Sequence, residues 1–161
     1  MEAWFAKSIL ATVSIVPTFI AIPLFKYRFG IDPLVFLAWY FGATAASIAT
    51  YLALSGRAAE LVPSPPLICV IVAIGCVFGA LANGALFQAI GLAPNPGLPP
   101  VMYATASMIV FFLSVVLAGS FPALFKPVVA DFSRIAGIVL VLVGLYLLAG
   151  GKFALPFKSA G

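Results

Sequence analysis

The sequence predicts an all-α protein, a single membrane domain over residues 1–161 folded as a bundle of five transmembrane helices. Hydrophobic residues make up 65% of the chain and charged residues only 7%, whereas soluble domains are about 25% charged. Apolar runs of about 20 residues, the length that crosses a bilayer, recur along the chain and are separated by short gaps. The predicted helices cover about 5–25, 34–54, 67–92, 96–117 and 131–150.

The first apolar run, 5–25, has a cleaved signal peptide as its rival interpretation. The run is longer than the apolar segment of a typical signal peptide, and it contains Pro17 and Pro23. We therefore retain it as the first helix. The second helix follows from Asp32, a residue suited to the N-cap, and from Pro33, which suits the first helical position.

Hydroxyl groups recur on one face of the second predicted helix. Tyr40, Thr44, Ser47 and Tyr51 follow one another at spacings of four, three and four residues, which is the spacing of a helical stripe. These hydroxyls either line a cavity or form hydrogen bonds with the backbone of their own helix or with a neighbouring helix. Both interpretations remain open at the level of sequence.

Glycines with helical spacing predict faces for close helix packing. In the third helix, Gly75 and Gly79 lie four residues apart and lead to Asn83, a primary amide. Gly137 and Gly144 lie seven residues apart in the fifth helix and share one face. We expect all four glycines to lie against neighbouring helices.

The turn between the third and fourth helices reads APNPGLPP, from Ala93 to Pro100, and cannot be helical throughout. We expect Asn95 to cap the fourth helix and Pro96 to open it. Tyr103 and Ser107 then lie on one face of that helix.

Polar side chains within the apolar runs are the candidate functional residues. An amide or hydroxyl in hydrocarbon is costly unless it has a hydrogen-bond partner, so such groups either join helices or face a cavity. The cavity interpretation predicts a substrate-binding surface, with one aromatic side chain of the second helix as a wall. The predicted substrate-binding residues are Asn83, Gln88, Tyr103, Ser107 and Tyr40.

Several classes of protein are excluded by composition and charge. The net charge is +4, but the basic residues are scattered among loops and helix ends, which indicates membrane anchoring and no binding of nucleic acid. There is no histidine, and Cys69 and Cys76 lie roughly 10 Å apart along a helix, so we expect no metal, no cofactor and no disulfide. No nucleophile with a base and no carboxylate pair is found, so we expect no enzyme.

A family resemblance is carried by residues 80–150. The segment LAPNPGLPPVMYATASMIVFFLSVVLAG, followed after a loop by GIVLVLVGLYLLAG, resembles the last two helices of a half-repeat of the drug/metabolite transporter superfamily, the EamA-type transporters. The first two helices agree with that family only in number and length. The resemblance implies five helices per half, ten per transport unit, and alternating access acting on small solutes.

This sequence departs from the family's acidic pattern. The family often has a glutamate just after the fourth helix, where Gly119 is followed here by Ser120, and the related small multidrug pumps have a glutamate in helix one, where none occurs here. The acids lie at or outside the predicted helix ends. They are Glu2, Asp32, Glu60 and Asp131. A proton relay of carboxylates within the membrane is therefore not expected.

Two functions from different classes follow. The first is a small multi-spanning transporter, or transporter subunit, which moves a small metabolite or drug-like solute by alternating access as a dimer. Its expected location is the cell membrane, multi-pass, and in a bacterium the cytoplasmic, or inner, membrane. The second is a structural or accessory membrane subunit of a larger complex, in which the glycines and polar residues serve only as helix contacts.

The basic residues do not favour one membrane orientation. With five spans, one side of the membrane would carry Lys7, Arg57, Lys126 and Arg134. The other side would carry Lys26, Arg28, Lys152 and Lys158. Because the positive-inside rule is balanced at four against four, we expect an antiparallel homodimer, or a heterodimer with a related half of opposite orientation.

Overall fold

The computed structural model describes residues 3–125, 131–148 and 150, and every regular element within these ranges is helical. Among these described residues, four helices are long and apolar enough to cross a membrane. They are α1 (Ala3–Phe29), α2 (Pro33–Leu54), α3 (Pro65–Leu92) and α4 (Leu98–Ala118). A short 3-10 turn, Ala58–Leu61, lies between α2 and α3. The long apolar helices indicate a membrane protein, as predicted.

The connection between α1 and α2 follows the predicted pattern. The chain leaves α1 through Gly30, whose φ of +69° is a left-handed conformation that glycine adopts readily. The side chain of Asp32 then accepts a hydrogen bond from the backbone N–H of Leu34 at 2.7 Å, and Pro33 occupies the first helical position. The predicted N-cap is therefore confirmed.

Helix α3 contains an irregularity that its sequence does not predict. Two α-helical segments, Pro65–Ile74 and Ala80–Leu92, are joined by a π-helical turn over Gly75–Gly79. A π-helical turn has wider hydrogen-bonded rings than an α-helix, so the two halves of α3 are rotated relative to their positions in an uninterrupted α-helix.

Helix α4 begins at Leu98, so the prediction that Pro96 opens it is wrong. The side-chain oxygen of Asn95 accepts a hydrogen bond from the N–H of Gly97 at 2.8 Å, and its backbone carbonyl accepts one from Leu98 at 3.1 Å. These two bonds form a tight turn with Pro96 at its second position, where proline is favoured. The helix has a break at Ala104, between Leu98–Tyr103 and Thr105–Ala118.

The fifth helix, α5, covers Phe132–Leu148, and the carbonyl of Asp131 accepts the first helical hydrogen bond from Ile135 at 3.1 Å. Its 17 residues span about 26 Å, against about 30 Å for the hydrocarbon core of a bilayer. Five spans therefore remain a prediction. The predicted end of this helix near residue 150 includes Ala149, which lies outside the described residues, as do Lys126, Lys152 and Lys158.

The chain divides into two compact units, residues 1–99 and 100–161, and each is described by itself. In the first unit, α1, α2 and the Ala80–Leu92 part of α3 pack around a core of Ile22, Phe87 and Ile90. Most other large apolar side chains face outward, among them Trp39 (79% exposed) and Leu54 (84% exposed). Such outward apolar surfaces are stable where the surrounding solvent is lipid.

Candidate functional site

A groove of about 450 Å³ lies between α2 and α3 in the first unit. This volume lies within the range of small-molecule sites in proteins. The groove is lined from α2 by Leu34, Leu37, Ala38 and Phe41, and from α3 by Gly75, Gly79, Ala80 and Asn83. Asn83, one of the predicted substrate-binding residues, is its single amide side chain.

Small residues create this groove. A Cβ atom added to Gly75 would meet nothing within 4 Å, and one added to Gly79 would meet only the carbonyl oxygen of Ile74 at 3.9 Å. Helix α2 instead contacts the Ala80–Leu92 part of α3. Among the residues that the structure describes, the two glycines thus border open space, and their predicted role in helix packing remains a prediction.

The amide of Asn83 has one hydrogen bond within the described part of the chain. Its Nδ2 donates to the carbonyl oxygen of Gly79 at 2.8 Å, four residues earlier on the same helix. Gly79 is the last residue of the π-helical turn, so the turn and the amide are joined directly. Single π-helical turns within α-helices occur frequently at functional sites, which makes this groove the leading candidate.

The groove carries no formal charge. Its lining consists of aliphatic side chains, one phenyl ring, two glycines and the half-buried Asn83. A charged ligand entering it would lose hydration without gaining an opposite charge from the lining. The arrangement therefore suits a neutral, mainly apolar molecule.

Tyr40 lies beside this groove and lines a different cavity. Its ring centroid is 6.2 Å from that of Phe36 and 6.1 Å from that of Phe87, within the aromatic cluster that surrounds the core. A second cavity, of about 370 Å³, is lined by Phe25, Ile31, Val35, Phe36, Trp39 and Tyr40. The structure thus places Tyr40 and Asn83 in the same unit without bringing them to one cavity.

The hydroxyl stripe of α2 is partly used by the helix itself. Thr44 Oγ1 donates to the carbonyl of Tyr40 at 2.8 Å, and Thr50, on the same helix, donates to the carbonyl of Ala46 at 2.9 Å. For Thr44, bonding to the helix's own backbone is therefore confirmed over lining a cavity.

Gln88 is exposed and does not line the groove. It follows Asn83 by five residues within the α-helical segment Ala80–Leu92, which places the two side chains about 140° apart around the helix axis. Asn83 and Gln88 are both polar, but they do not lie on the same face of α3.

Ser107 and Tyr103 belong to the second unit. Ser107 lines a cavity of about 540 Å³, with Ala104, Met108 and Phe111 from α4 and Gly137, Ile138 and Val141 from α5. Tyr103 is 49% exposed and lies outside that cavity. A Cβ atom on Gly137 or Gly144 would meet nothing within 4 Å, so both glycines have open space beside them, and their predicted packing role also remains a prediction.

A polar contact that the sequence does not predict lies at the end of α3. Lys26 Nζ donates to the carbonyl oxygen of Gly91 at 2.7 Å, and the hydroxyl of Tyr27 donates to the same oxygen at 3.2 Å. The last carbonyls of a helix have no partner within it and attract cations. The sequence signals for this contact are Lys26, directly after the first apolar run, and Gly91, near the end of the third.

Residues that could hold a metal are not grouped in the described parts of the chain. No set of three His, Cys, Asp or Glu side chains lies close enough together there to coordinate an ion. Cys69 and Cys76 are both free and exposed on α3.

Comparison with known proteins adds no relative: no family model, curated protein or solved structure matches this chain. The resemblance to drug/metabolite transporters therefore remains a prediction. The helices and their outward apolar surfaces define the class as a helical membrane protein.

Proposed function

We propose that this chain is a small multi-spanning transporter that moves a small metabolite or drug-like solute, with the groove between α2 and α3 as its substrate site. The proposal is carried by one observation, the groove of about 450 Å³ in which Asn83 adjoins the π-helical turn of Gly75–Gly79. Ligand sites in membrane transporters commonly lie where a spanning helix is interrupted. The groove provides such a place in α3.

Transport by alternating access requires two conformations that open the site to opposite sides. In this proposal, the solute occupies the groove, and α2 and α3 change their separation around it. The π-helical turn of α3 is suited to act as the hinge for this movement, because irregular turns accommodate bending that a continuous α-helix resists. Asn83 orients the solute, and Phe41 with the aliphatic side chains forms the apolar wall.

The proposed transport unit is an antiparallel pair of these chains in a cell membrane, the inner membrane in a bacterium, with a related half of opposite orientation as the alternative partner. Its support is the even distribution of basic residues across five predicted spans. Reporter fusions after Gly161 that read the two compartments test it. A C-terminus found wholly on one side overturns the self-paired arrangement, and an added lysine beside Asn95 should shift a balanced distribution.

The transport proposal is tested on protein purified in mild detergent. A thermal-shift screen against uncharged metabolites, with organic cations as the charged comparison, identifies stabilising solutes, which are then measured for uptake into vesicles containing the protein. Asn83→Leu should abolish stabilisation and uptake. Thr50→Val is the matched control, because the Thr50 hydroxyl donates to the carbonyl of Ala46 on its own helix and does not line the groove.

Two outcomes would overturn the transport proposal. One is an Asn83→Leu protein that retains the solute response and uptake of the unaltered chain. The other is obligate purification with a larger complex and no response to any solute, which supports the accessory-subunit alternative.

A further inference from the structure

We propose that the end of α1 binds an anionic phospholipid, whose phosphate contacts the guanidinium of Arg28 and whose acyl chains lie against Leu24. The site is a pocket of about 330 Å³ on the outer surface of α1, and it shares no lining residue with the groove of Asn83. Four residues of this one helix line it: Pro23, Leu24, Tyr27 and Arg28. The inference is independent of the proposed transport, because a transporter and an accessory subunit would both present this surface to the membrane.

The basic residues of α1 place this pocket at the depth of the lipid phosphates. Lys7 and Lys26 both lie on α1 and are roughly 28 Å apart along its axis, at about 1.5 Å per residue. This length matches the hydrocarbon core of a bilayer, which is about 30 Å thick, so each lysine lies near one of its two boundaries. Arg28 lies about 3 Å beyond Lys26 along the axis and therefore reaches the headgroup region.

Arg28 is the cation that this pocket offers to a ligand. Its side chain is exposed, and its guanidinium forms no hydrogen bond or ion pair with the residues that the structure describes. Lys26, two positions earlier, instead donates to the carbonyl oxygen of Gly91 at 2.7 Å and thus faces α3. A guanidinium presents a fork of N–H donors that matches the oxygens of a phosphate, so Arg28 is suited to bind one.

Tyr27 forms a fixed wall of the pocket. Its hydroxyl donates to the carbonyl oxygen of Gly91 at 3.2 Å, and the ammonium nitrogen of Lys26 lies 5.5 Å from the centre of its ring. These two contacts hold the ring beside Arg28, although the side chain is 72% exposed. Tyrosine is enriched at the boundary between headgroups and acyl chains, where the ring contacts apolar parts of lipids and the hydroxyl has a polar partner.

The order of the lining residues along α1 favours a lipid over a soluble phosphate. Pro23 and Leu24 lie about 6–8 Å deeper in the membrane than Arg28, so the pocket is charged at its shallow end and apolar at its deep end. A phospholipid has the same order of groups, whereas a soluble phosphate ester would contact Arg28 and gain nothing from the apolar side chains. The lining contains no carboxylate to pair with the ammonium group of a zwitterionic lipid, which favours a headgroup of net negative charge.

Lipid titration of the purified full-length chain in detergent tests this site. Dioleoylphosphatidylglycerol is compared with dioleoylphosphatidylcholine, which has the same acyl chains and no net charge, and thermal unfolding reports the binding. Phosphatidylglycerol should raise the unfolding temperature at a lower mole fraction than phosphatidylcholine. Arg28→Gln should increase the mole fraction of phosphatidylglycerol that is required by about fivefold, the usual contribution of one basic residue near an anionic membrane surface.

Arg57→Gln is the matched control, because Arg57 is also exposed, pairs with Glu60 and does not line the pocket. Without added lipid, both variants should unfold at the temperature of the unaltered chain, and the control should keep its full response to phosphatidylglycerol. The inference is overturned if the two lipids stabilise the chain at the same mole fraction, or if Arg28→Gln and Arg57→Gln respond alike. It is also overturned if glycerol 3-phosphate alone reproduces the stabilisation, since the pocket would then recognise a soluble phosphate ester.

Discussion

Gly91 is the position where a single methyl group should reveal how the end of α3 is held against the end of α1 and the start of α2. A Cβ atom added there would lie 2.7 Å from Cγ of Pro33 and 3.3 Å from Cδ of Lys26. The lysine chain can rotate away, but the proline ring is rigid and lies at the start of α2. Gly91→Ala should therefore push the end of α3 away from this corner and lengthen the bond from Lys26 to the Gly91 carbonyl.

Two opposing effects determine the size of the change. Overpacking of this kind costs about 1–3 kcal/mol. Replacing glycine by alanine in a helix interior contributes up to about 1 kcal/mol in the stabilising direction, and less at Gly91, which lies in the last turn of α3. The clash should exceed the gain, with a net loss of about 1–2 kcal/mol, or roughly 2–8 °C in the unfolding temperature.

Thermal unfolding of purified protein in one detergent measures this loss. Gly42→Ala is the matched control, because a Cβ atom at Gly42, in the interior of α2, would meet nothing within 4 Å. We expect the control to unfold at the temperature of the unaltered chain or slightly above it. If Gly91→Ala is as stable as Gly42→Ala, the close approach of Pro33 to Gly91 is refuted.

Substitutions at three further positions test the polar contacts. Lys26→Met retains an apolar stem but removes the charged donor to the Gly91 carbonyl, and should lower the free energy of unfolding by about 1–3 kcal/mol in denaturant titrations. Asp32→Ala removes the α2 N-cap and should cost about 1 kcal/mol, whereas Asp32→Asn should restore most of it. The hydrogen bond from Arg57 lowers the pKa of the Glu60 carboxyl. Any stabilisation from this ion pair is therefore fully present at a pH above the ordinary pKa of a carboxyl group, and it is lost as the pH falls through the lowered pKa of Glu60. Because both groups are exposed, the Glu60→Gln protein should have the same melting temperature as the unaltered chain at neutral pH and at acid pH. A melting temperature that is lowered by the substitution only at neutral pH would contradict this prediction.

Local chemistry allowed the helices to be predicted from the sequence. Asp32 before Pro33 is a start signal read within one turn of helix, and the structure has α2 beginning at Pro33. The start of α4 was misplaced by two residues, because Asn95 can cap either a helix or a turn, and the choice depends on its partner N–H. The π-helical turn was not predicted, since two glycines four residues apart are compatible with either kind of helix.

The candidate site could be predicted only in part. Asn83 was selected because an amide in an apolar run needs a partner, and it does line a groove of ligand size. The same reasoning predicts a site role for Gln88, which is exposed, because burial depends on which face of α3 meets α2. Tyr40 lines a neighbouring cavity, which the position of an aromatic residue in the sequence does not reveal.

The sequence by itself determined the class of this protein, because the length and polarity of each apolar run decide whether a helix is stable in lipid. It also determined how α2 begins, since capping involves neighbours in the chain. Only the tertiary structure decided where the groove lies and which carbonyl Lys26 contacts, for that lysine and Gly91 are 65 residues apart. Such contacts depend on which helix faces meet, and that arrangement is set by packing of side chains from distant segments around Ile22, Phe87 and Ile90.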